Sequence, residues 1–114
     1  MMEIRDRPPM GGVTRLALSG RLDPTTVGVL DTWIGRVLAM GAKKVLLDLE
    51  ELDYISSAGL RVLLQAAKKI SVGGGRFMLC EPQRSVKQVL DIAGFSSMMS
   101  VYATEAEALD QEAE

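Results

Sequence analysis

Alternating apolar and polar residues near the start of the chain are typical of β-strands. The segment Val13–Ser19, with the sequence VTRLALS, alternates well enough to predict a strand. A shorter strand is predicted near Glu3–Arg5. The stretch RPPMGG at residues 7–12 separates the two strands. Because prolines and glycines disfavour strand pairing, this stretch predicts a turn.

Apolar residues next recur at the spacing of an α-helix. Asp23 followed by Pro24 resembles an N-cap with proline at the first helical position, and Gly41 supplies a stop. The pattern between these signals predicts a helix with one buried face. The apolar positions of that face are Val27, Leu30, Ile34, Val37 and Leu38.

The segment KKVLLDLE at residues 43–50 has too short an apolar run for a helix. It predicts a strand buried on both faces at the centre of a sheet. A second helix is predicted to begin at Ser56 or Ser57. Its packing face comprises Leu60, Leu63, Leu64 and Ala67, and its exposed stripe comprises Arg61, Gln65 and Lys68.

Strands and helices continue to alternate through the second half of the chain. The pattern predicts a strand at 76–80, a helix over 81–94, a short strand within 95–103 and a frayed acidic helix at about 104–114. The third helix is predicted to bury Val86, Val89, Leu90 and Ala93, and Met98 and Met99 are interpreted as packing residues. We therefore predict one α/β domain over residues 1–114, with a mixed central sheet of four to five strands and helices packed against it.

Composition excludes several classes of function. The 114 residues are 47% apolar, enough for one core, and the net charge of −2 without segregation of sign argues against nucleic-acid binding. No apolar stretch is long enough to span a membrane, and the N-terminus is too charged for a signal peptide. We expect a cytoplasmic protein without a membrane partner. Cys80, the single cysteine, is expected to be a small apolar residue.

The chain contains no histidine, which removes the usual general base and metal ligand. Ser-His-Asp and Cys-His chemistry are therefore excluded. The glycines at 73–75 lack the lysine and the spacing of a phosphate-binding loop. Any enzyme here would need carboxylates or lysine alone, and we expect no catalytic or metal-binding residues and no cofactor.

Two adjacent serines stand where a predicted strand passes into a helix, in the sequence DYISSAGLRVLL at residues 53–64. One hydroxyl can cap the helix, which leaves the second unexplained. The hydrolase elbow G-x-S-x-G would need glycine two residues before Ser57, but Ile55 stands there. A serine at a helix N-terminus can instead be phosphorylated without unfolding the domain, because the partial positive charge there tolerates a dianion.

Several separated segments resemble the STAS family, the domain of bacterial anti-sigma factor antagonists and of the tail of sulfate transporters. The signature is LDYISSAGLRVLL after the strand KKVLLDLEE, and both LALSGRLDPTT and GGRFMLCEPQRSVKQVLDIAGF agree with the family in order and spacing. The resemblance covers most of the chain. It implies an α/β domain that works through protein partners rather than through catalysis.

Residue by residue, the resemblance implies that Ser57 is the phosphoacceptor, because Gly59 and Leu60 align with the Gly-Leu of the family motif. Ser56 then occupies the position of the family's aspartate and is the alternate acceptor, while Ala58 replaces a second Ser/Thr. Asp23 matches the aspartate of the family's Gly-x-Leu-Asp loop, although the capping pattern explains it equally well. The expected partner-binding residues are Asp23, Ser56, Ser57, Ala58, Gly59 and Arg61.

The family role implied by these residues is that of a non-enzymatic switch. The unphosphorylated chain would bind an anti-sigma factor with serine kinase activity, phosphorylation would end the interaction, and a metal-dependent serine phosphatase would restore it. ATP and magnesium would belong to the kinase. Two alternatives stay open: a constitutive STAS subunit of a lipid-transport ATPase complex, and a STAS module that binds a small ligand or nucleotide.

Overall fold

The computed structural model describes residues 1–94 and 99–112, with the side chains of residues 111 and 112 excepted. Strands and helices alternate after an initial hairpin. The strands are β1 (Met2–Met10), β2 (Val13–Leu22), β3 (Lys44–Ile55), β4 (Arg76–Cys80) and β5 (Ser100–Tyr102). The helices are α1 (Val27–Ala39), α2 (Ser57–Val72), α3 (Arg84–Ile92) and α4 (Glu105–Glu112).

The five strands form one mixed sheet in the order β1-β2-β3-β4-β5. β1 pairs antiparallel with β2, and each of the remaining neighbours pairs in parallel. β3 lies at the centre, and its residues 45–49 are all buried, because helices cover both faces of the sheet there. The predicted fold class and the central buried strand are confirmed.

β1 is longer than the sequence pattern predicts, since it continues through Pro8 and Pro9 to Met10. The predicted turn at residues 7–12 is therefore wrong, and only Gly11 and Gly12, both with positive φ, connect the hairpin. Proline is tolerated in β1 because the strand lies at the edge of the sheet, where a missing N–H breaks no ladder. The pairing with β2 is irregular between Arg7 and Met10.

Three helices share one face of the sheet. α1, α2 and α3 all contribute buried side chains to a single large core cluster, to which β3 adds Val45, Leu47 and Leu49. The exposed stripe predicted for α2 is confirmed, since its charged and amide side chains face solvent. On α3 the structure corrects the prediction in two respects: the helix begins only at Arg84, and Ala93 is exposed.

α4 packs on the opposite face of the sheet. Its Ala108 is fully buried against Leu46, Met78 and Cys80, which alternate with the residues of the large cluster along their strands. A helix is thus present in the predicted range of about 104–114, and it packs on the sheet. The fraying of its final residues stays a prediction, and residues 113 and 114 lie outside the described part of the chain. Met99 is buried as predicted, whereas Met98 also lies outside the described residues.

Cys80 is buried, and burial raises the pKa of its thiol far above the ordinary value. The thiol therefore stays protonated and unreactive, as predicted for a small apolar residue. Within residues 1–94 and 99–112, no helix is long and apolar enough to cross a membrane.

Candidate functional site

The junction of β3 and α2 distinguishes the two serines. Ser56 has extended backbone torsions and is the N-cap of α2, and its Oγ accepts a hydrogen bond from the N–H of Gly59 at 3.1 Å. Its carbonyl oxygen accepts the N–H of Leu60 at 2.9 Å. Ser56 therefore supplies the capping hydroxyl, and an aspartate at this position would cap the same N–H group.

Ser57 is the first residue of α2 and is exposed to solvent. Its side chain has no hydrogen-bond partner among the residues that the structure describes. The first turn of α2 contains no acidic residue, so the partial positive charge of the helix N-terminus is not neutralised there. The fold thus presents an accessible hydroxyl in an environment that favours negative charge.

The loop that follows β2 is fastened directly to this junction. The N–H of Ser56 donates to the carbonyl oxygen of Leu22 at 2.9 Å. A Cβ atom added to Gly59 would lie 2.9 Å from both Leu22 Cγ and Leu22 O, and 3.0 Å from Ile55 Cγ1. Glycine is therefore required where α2 meets the end of β2. The contact places Asp23, the next residue after Leu22, beside the start of α2.

Asp23 does not cap α1, which corrects the prediction from the Asp-Pro pattern. α1 begins at Val27 after Thr26, and the Asp23 carboxylate instead accepts hydrogen bonds from the N–H of Thr25 at 2.9 Å and from its hydroxyl at 2.6 Å. A hydrogen bond between the side chain of Asp23 and the N–H two residues later closes a local turn, and this turn competes with the helical conformation. Thr26 completes the loop by donating its hydroxyl to the carbonyl oxygen of Arg21 at 2.8 Å.

Arg21 and Tyr54 form a contact beside Asp23 that the sequence pattern did not reveal. The two residues face each other across the β2–β3 ladder, and the guanidinium carbon lies 4.1 Å from the centre of the tyrosine ring. Arg21 Nε also lies 3.7 Å from an oxygen of Asp23. Tyr54 is 41% exposed. An aromatic residue, a cation and a carboxylate therefore adjoin the start of α2.

The other predicted partner-binding residues occupy the first turns of α2. Ala58 is half-buried, Gly59 is buried and Arg61 is exposed. Arg61 follows Ser57 by one helical turn, so both residues lie on the same side of the helix. The structure brings Ser57, Arg61 and the Asp23 loop to one end of the domain, while their roles in binding stay a prediction.

A metal ion and a histidine base are two of the groups that commonly support chemistry at a serine such as Ser57. Within the described residues, no group of three or more cysteine or carboxylate side chains is placed to hold a metal ion. The chain has no histidine to act as a base for Ser57.

Removing the capping hydroxyl should destabilise the domain. We expect Ser56→Ala to lower the free energy of unfolding by about 1 kcal/mol, because the Gly59 N–H loses its acceptor, while Ser56→Asp keeps most of it. Urea unfolding followed by circular dichroism measures both changes. An equal loss in the two variants, or none in Ser56→Ala, would contradict the assignment of Ser56 as the cap.

The Asp23 loop should respond to acid. Hydrogen bonding from Thr25, and to a lesser extent the nearby Arg21, lowers the pKa of Asp23 below its ordinary value of 3.8, although desolvation opposes the shift. A carboxyl group with a lowered folded pKa contributes stability above its unfolded pKa and loses it as pH falls through the folded value. In an NMR titration the Thr25 amide should shift with a midpoint below 3.8, and Asp23→Asn should abolish that transition. A midpoint at or above 3.8 would contradict the hydrogen bonds.

Comparison with known proteins places these features in context. A family model described as STAS domain matches residues 5–108. BtrV of Bordetella bronchiseptica, a candidate anti-sigma factor antagonist, is 38% identical over 90 residues, which are 79% of this chain and 78% of BtrV. The anti-sigma F factor antagonist of Paenibacillus polymyxa is 30% identical over 101 residues, covering 88% of this chain and 86% of that protein.

Solved structures show the same fold. A candidate anti-sigma factor antagonist from Thermotoga maritima superposes with a TM-score of 0.91 at 25% identity, covering 97% of this chain and 95% of that one. Bacillus SpoIIAA in its phosphorylated form superposes with a TM-score of 0.73 at 24% identity, covering 96% of this chain and 98% of SpoIIAA. At that identity the second likeness concerns the fold alone.

Proposed function

The chain belongs to the STAS family, and on this basis we propose that it is an anti-sigma factor antagonist switched off by phosphorylation of Ser57. One observation carries the choice of residue. Of the two adjacent hydroxyls, that of Ser56 is bonded within the fold, while that of Ser57 is exposed and unbonded in the described structure. Attachment of a phosphate to Ser57 therefore breaks no hydrogen bond of the described structure.

In the unphosphorylated state the chain binds an anti-sigma factor, so that the sigma factor is released. The binding surface comprises the start of α2 and the adjoining loop, with Asp23, Arg21 and Tyr54 beside Ser57. The polar atoms of this loop are held by hydrogen bonds within the chain, so the surface is organised before a partner arrives.

The partner is also the kinase in this proposal. The γ-phosphoryl group of ATP passes to Ser57 Oγ, the bond to ADP breaks, and the hydroxyl proton leaves to a base of the kinase. The modification adds about −1.5 to −2 charges and three acceptor oxygens at one point of the binding surface. Repulsion and desolvation then separate the partner, and a metal-dependent serine phosphatase restores the first state. The chain itself performs no catalysis.

Gel filtration of the chain with an anti-sigma factor kinase from the same organism tests this proposal. The two proteins should co-elute, separate after Mg²⁺ and ATP are added, and co-elute again after phosphatase treatment. The Ser57→Ala variant should remain bound throughout. A wild-type complex that persists with ATP would overturn the switch and favour the alternative of a constitutive interaction subunit.

A further inference from the structure

A groove between β1 and the C-terminal half of α1 is unrelated to the proposed switch. It opens beside Ala42, just before the amino end of β3, whereas Ser57 follows the carboxyl end of that strand. Its volume is about 580 Å³, within the range of small-molecule sites. The walls are mainly apolar, with Pro8 and Pro9 on one side and Trp33 and Met40 on the other.

The charged side chains that line the groove are two arginines and one aspartate. Arg36 is exposed, and its guanidinium carbon lies 5.6 Å from the centre of the Trp33 ring. It makes no ion pair in the part of the chain that the structure describes. Asp6 is the acidic residue in the lining, while Lys43, next to the groove residue Ala42, donates its ammonium to the carbonyl oxygen of Gly73 at 2.8 Å. Arg7 also lines the groove, but its guanidinium is bonded to Asp48 at 2.8 Å.

We propose that this groove binds an apolar anion, with a long-chain carboxylate as the chemical class. The planar guanidinium of Arg36 can bind a carboxylate through two hydrogen bonds. The alkyl chain would then cover the prolines and Met40, which is 85% exposed. Asp6 disfavours the head group at the β1 wall, so the carboxylate lies on the α1 side.

Dodecanoate is a suitable probe, because Trp33 is the single tryptophan of the chain and lines the groove. Titration should change the Trp33 emission to saturation. Arg36→Gln should weaken binding about tenfold through loss of a charged hydrogen bond. Asp6→Asn should tighten binding about threefold by removing a repulsion between nearby charges. Dodecyltrimethylammonium, with the same tail and the opposite charge, should bind more weakly than dodecanoate.

Met40 and Val72, two exposed apolar residues, provide a matched pair of variants. Met40→Glu introduces a negative charge into the groove and should weaken binding of dodecanoate, whereas Val72→Glu, at a 90% exposed position outside the lining, should not. Circular dichroism establishes that each variant is folded. Because the assay needs no kinase, its result is independent of the Ser57 switch.

Three outcomes would overturn the proposal. The first is an unchanged Trp33 emission up to about 1 mM dodecanoate, which corresponds to negligible affinity. The second is equal binding by the wild type and Arg36→Gln. The third is weaker binding of dodecanoate by both Arg36→Gln and Asp6→Asn, because removal of a carboxylate that repels the anion cannot weaken binding.

Discussion

A chain carrying phosphoserine at position 57 is expected to bind its anti-sigma factor partner about a hundredfold more weakly than the unmodified chain. The exposed Ser57 hydroxyl lies next to the loop of Asp23, so the phosphate adds to negative charge already on this surface. A partner that fits the neutral hydroxyl must then desolvate or approach a dianion, which costs several kcal/mol.

Isothermal titration calorimetry with phosphoserine incorporated during translation measures this effect without a kinase. Phosphoserine at Ser71 provides the control, because Ser71 is an exposed serine near the opposite end of the same helix. That variant should bind as the unmodified chain does, and circular dichroism should show that both modified chains are folded. A dissociation constant within about twofold of the unmodified value would contradict the role assigned to Ser57.

Gly59→Ala is expected to lower the free energy of unfolding by about 1–3 kcal/mol, the usual cost of overpacking. The added methyl group would lie 2.9 Å from the backbone oxygen of Leu22, which cannot move without disturbing the hydrogen bond to Ser56. The substitution should therefore also separate the Asp23 loop from α2 and slow phosphorylation of Ser57.

Gly35→Ala is the matched control for that variant. Gly35 lies inside α1, where an added Cβ atom would have no atom within 4 Å apart from its chain neighbours and the backbone of its own helix. Alanine is the better helix former, so this variant should gain about 0.5–1 kcal/mol. Urea unfolding of both variants measures the difference. A Gly59→Ala chain as stable as the wild type would contradict the close packing of α2 on Leu22.

The sequence pattern predicts the elements whose burial is marked by a continuous apolar run or by a clear polar stripe. The run at 45–49 is apolar at every position but one, so a central strand is the structure that can bury it. The polar stripe of α2 marks its exposed side in the same way. Such patterns do not predict how far a strand at the edge of a sheet extends, because a strand with one neighbour tolerates polar residues and prolines. For this reason the pattern underestimates the length of β1.

The C-terminal helix illustrates a different difficulty. Its acidic, alanine-rich sequence suggests a segment with little to bury, yet Ala108 is fully buried and Glu105 receives a hydrogen bond from Arg15 at 3.0 Å. The small side chain of Ala108 lets α4 approach the sheet closely. Arg15 on β2, ninety residues earlier, and Arg7 on β1, at 3.5 Å, make an acidic residue favourable there.

At the site, alignment of Gly59 and Leu60 with the family motif distinguishes Ser57 from Ser56 on the amino-acid sequence alone. The contact between Arg21 and Tyr54 cannot be predicted in this way. The register of β2 and β3 shifts twice before these residues, so counting along the strands would pair Arg21 with another residue. The Asp-Pro pattern misplaces Asp23, because such a pair is compatible with both a helix cap and a local turn.

The most direct test of the account is the position of the phosphate after reaction with the cognate kinase and Mg²⁺-ATP. Trypsin cleaves after Lys44 and Arg61, so both serines lie on one peptide, and fragment ions between them identify the modified residue. The account predicts a single phosphate on Ser57, retained in Ser56→Ala and absent in Ser57→Ala. A phosphate on Ser56, or a chain that remains unmodified by a kinase that binds it, would contradict the account.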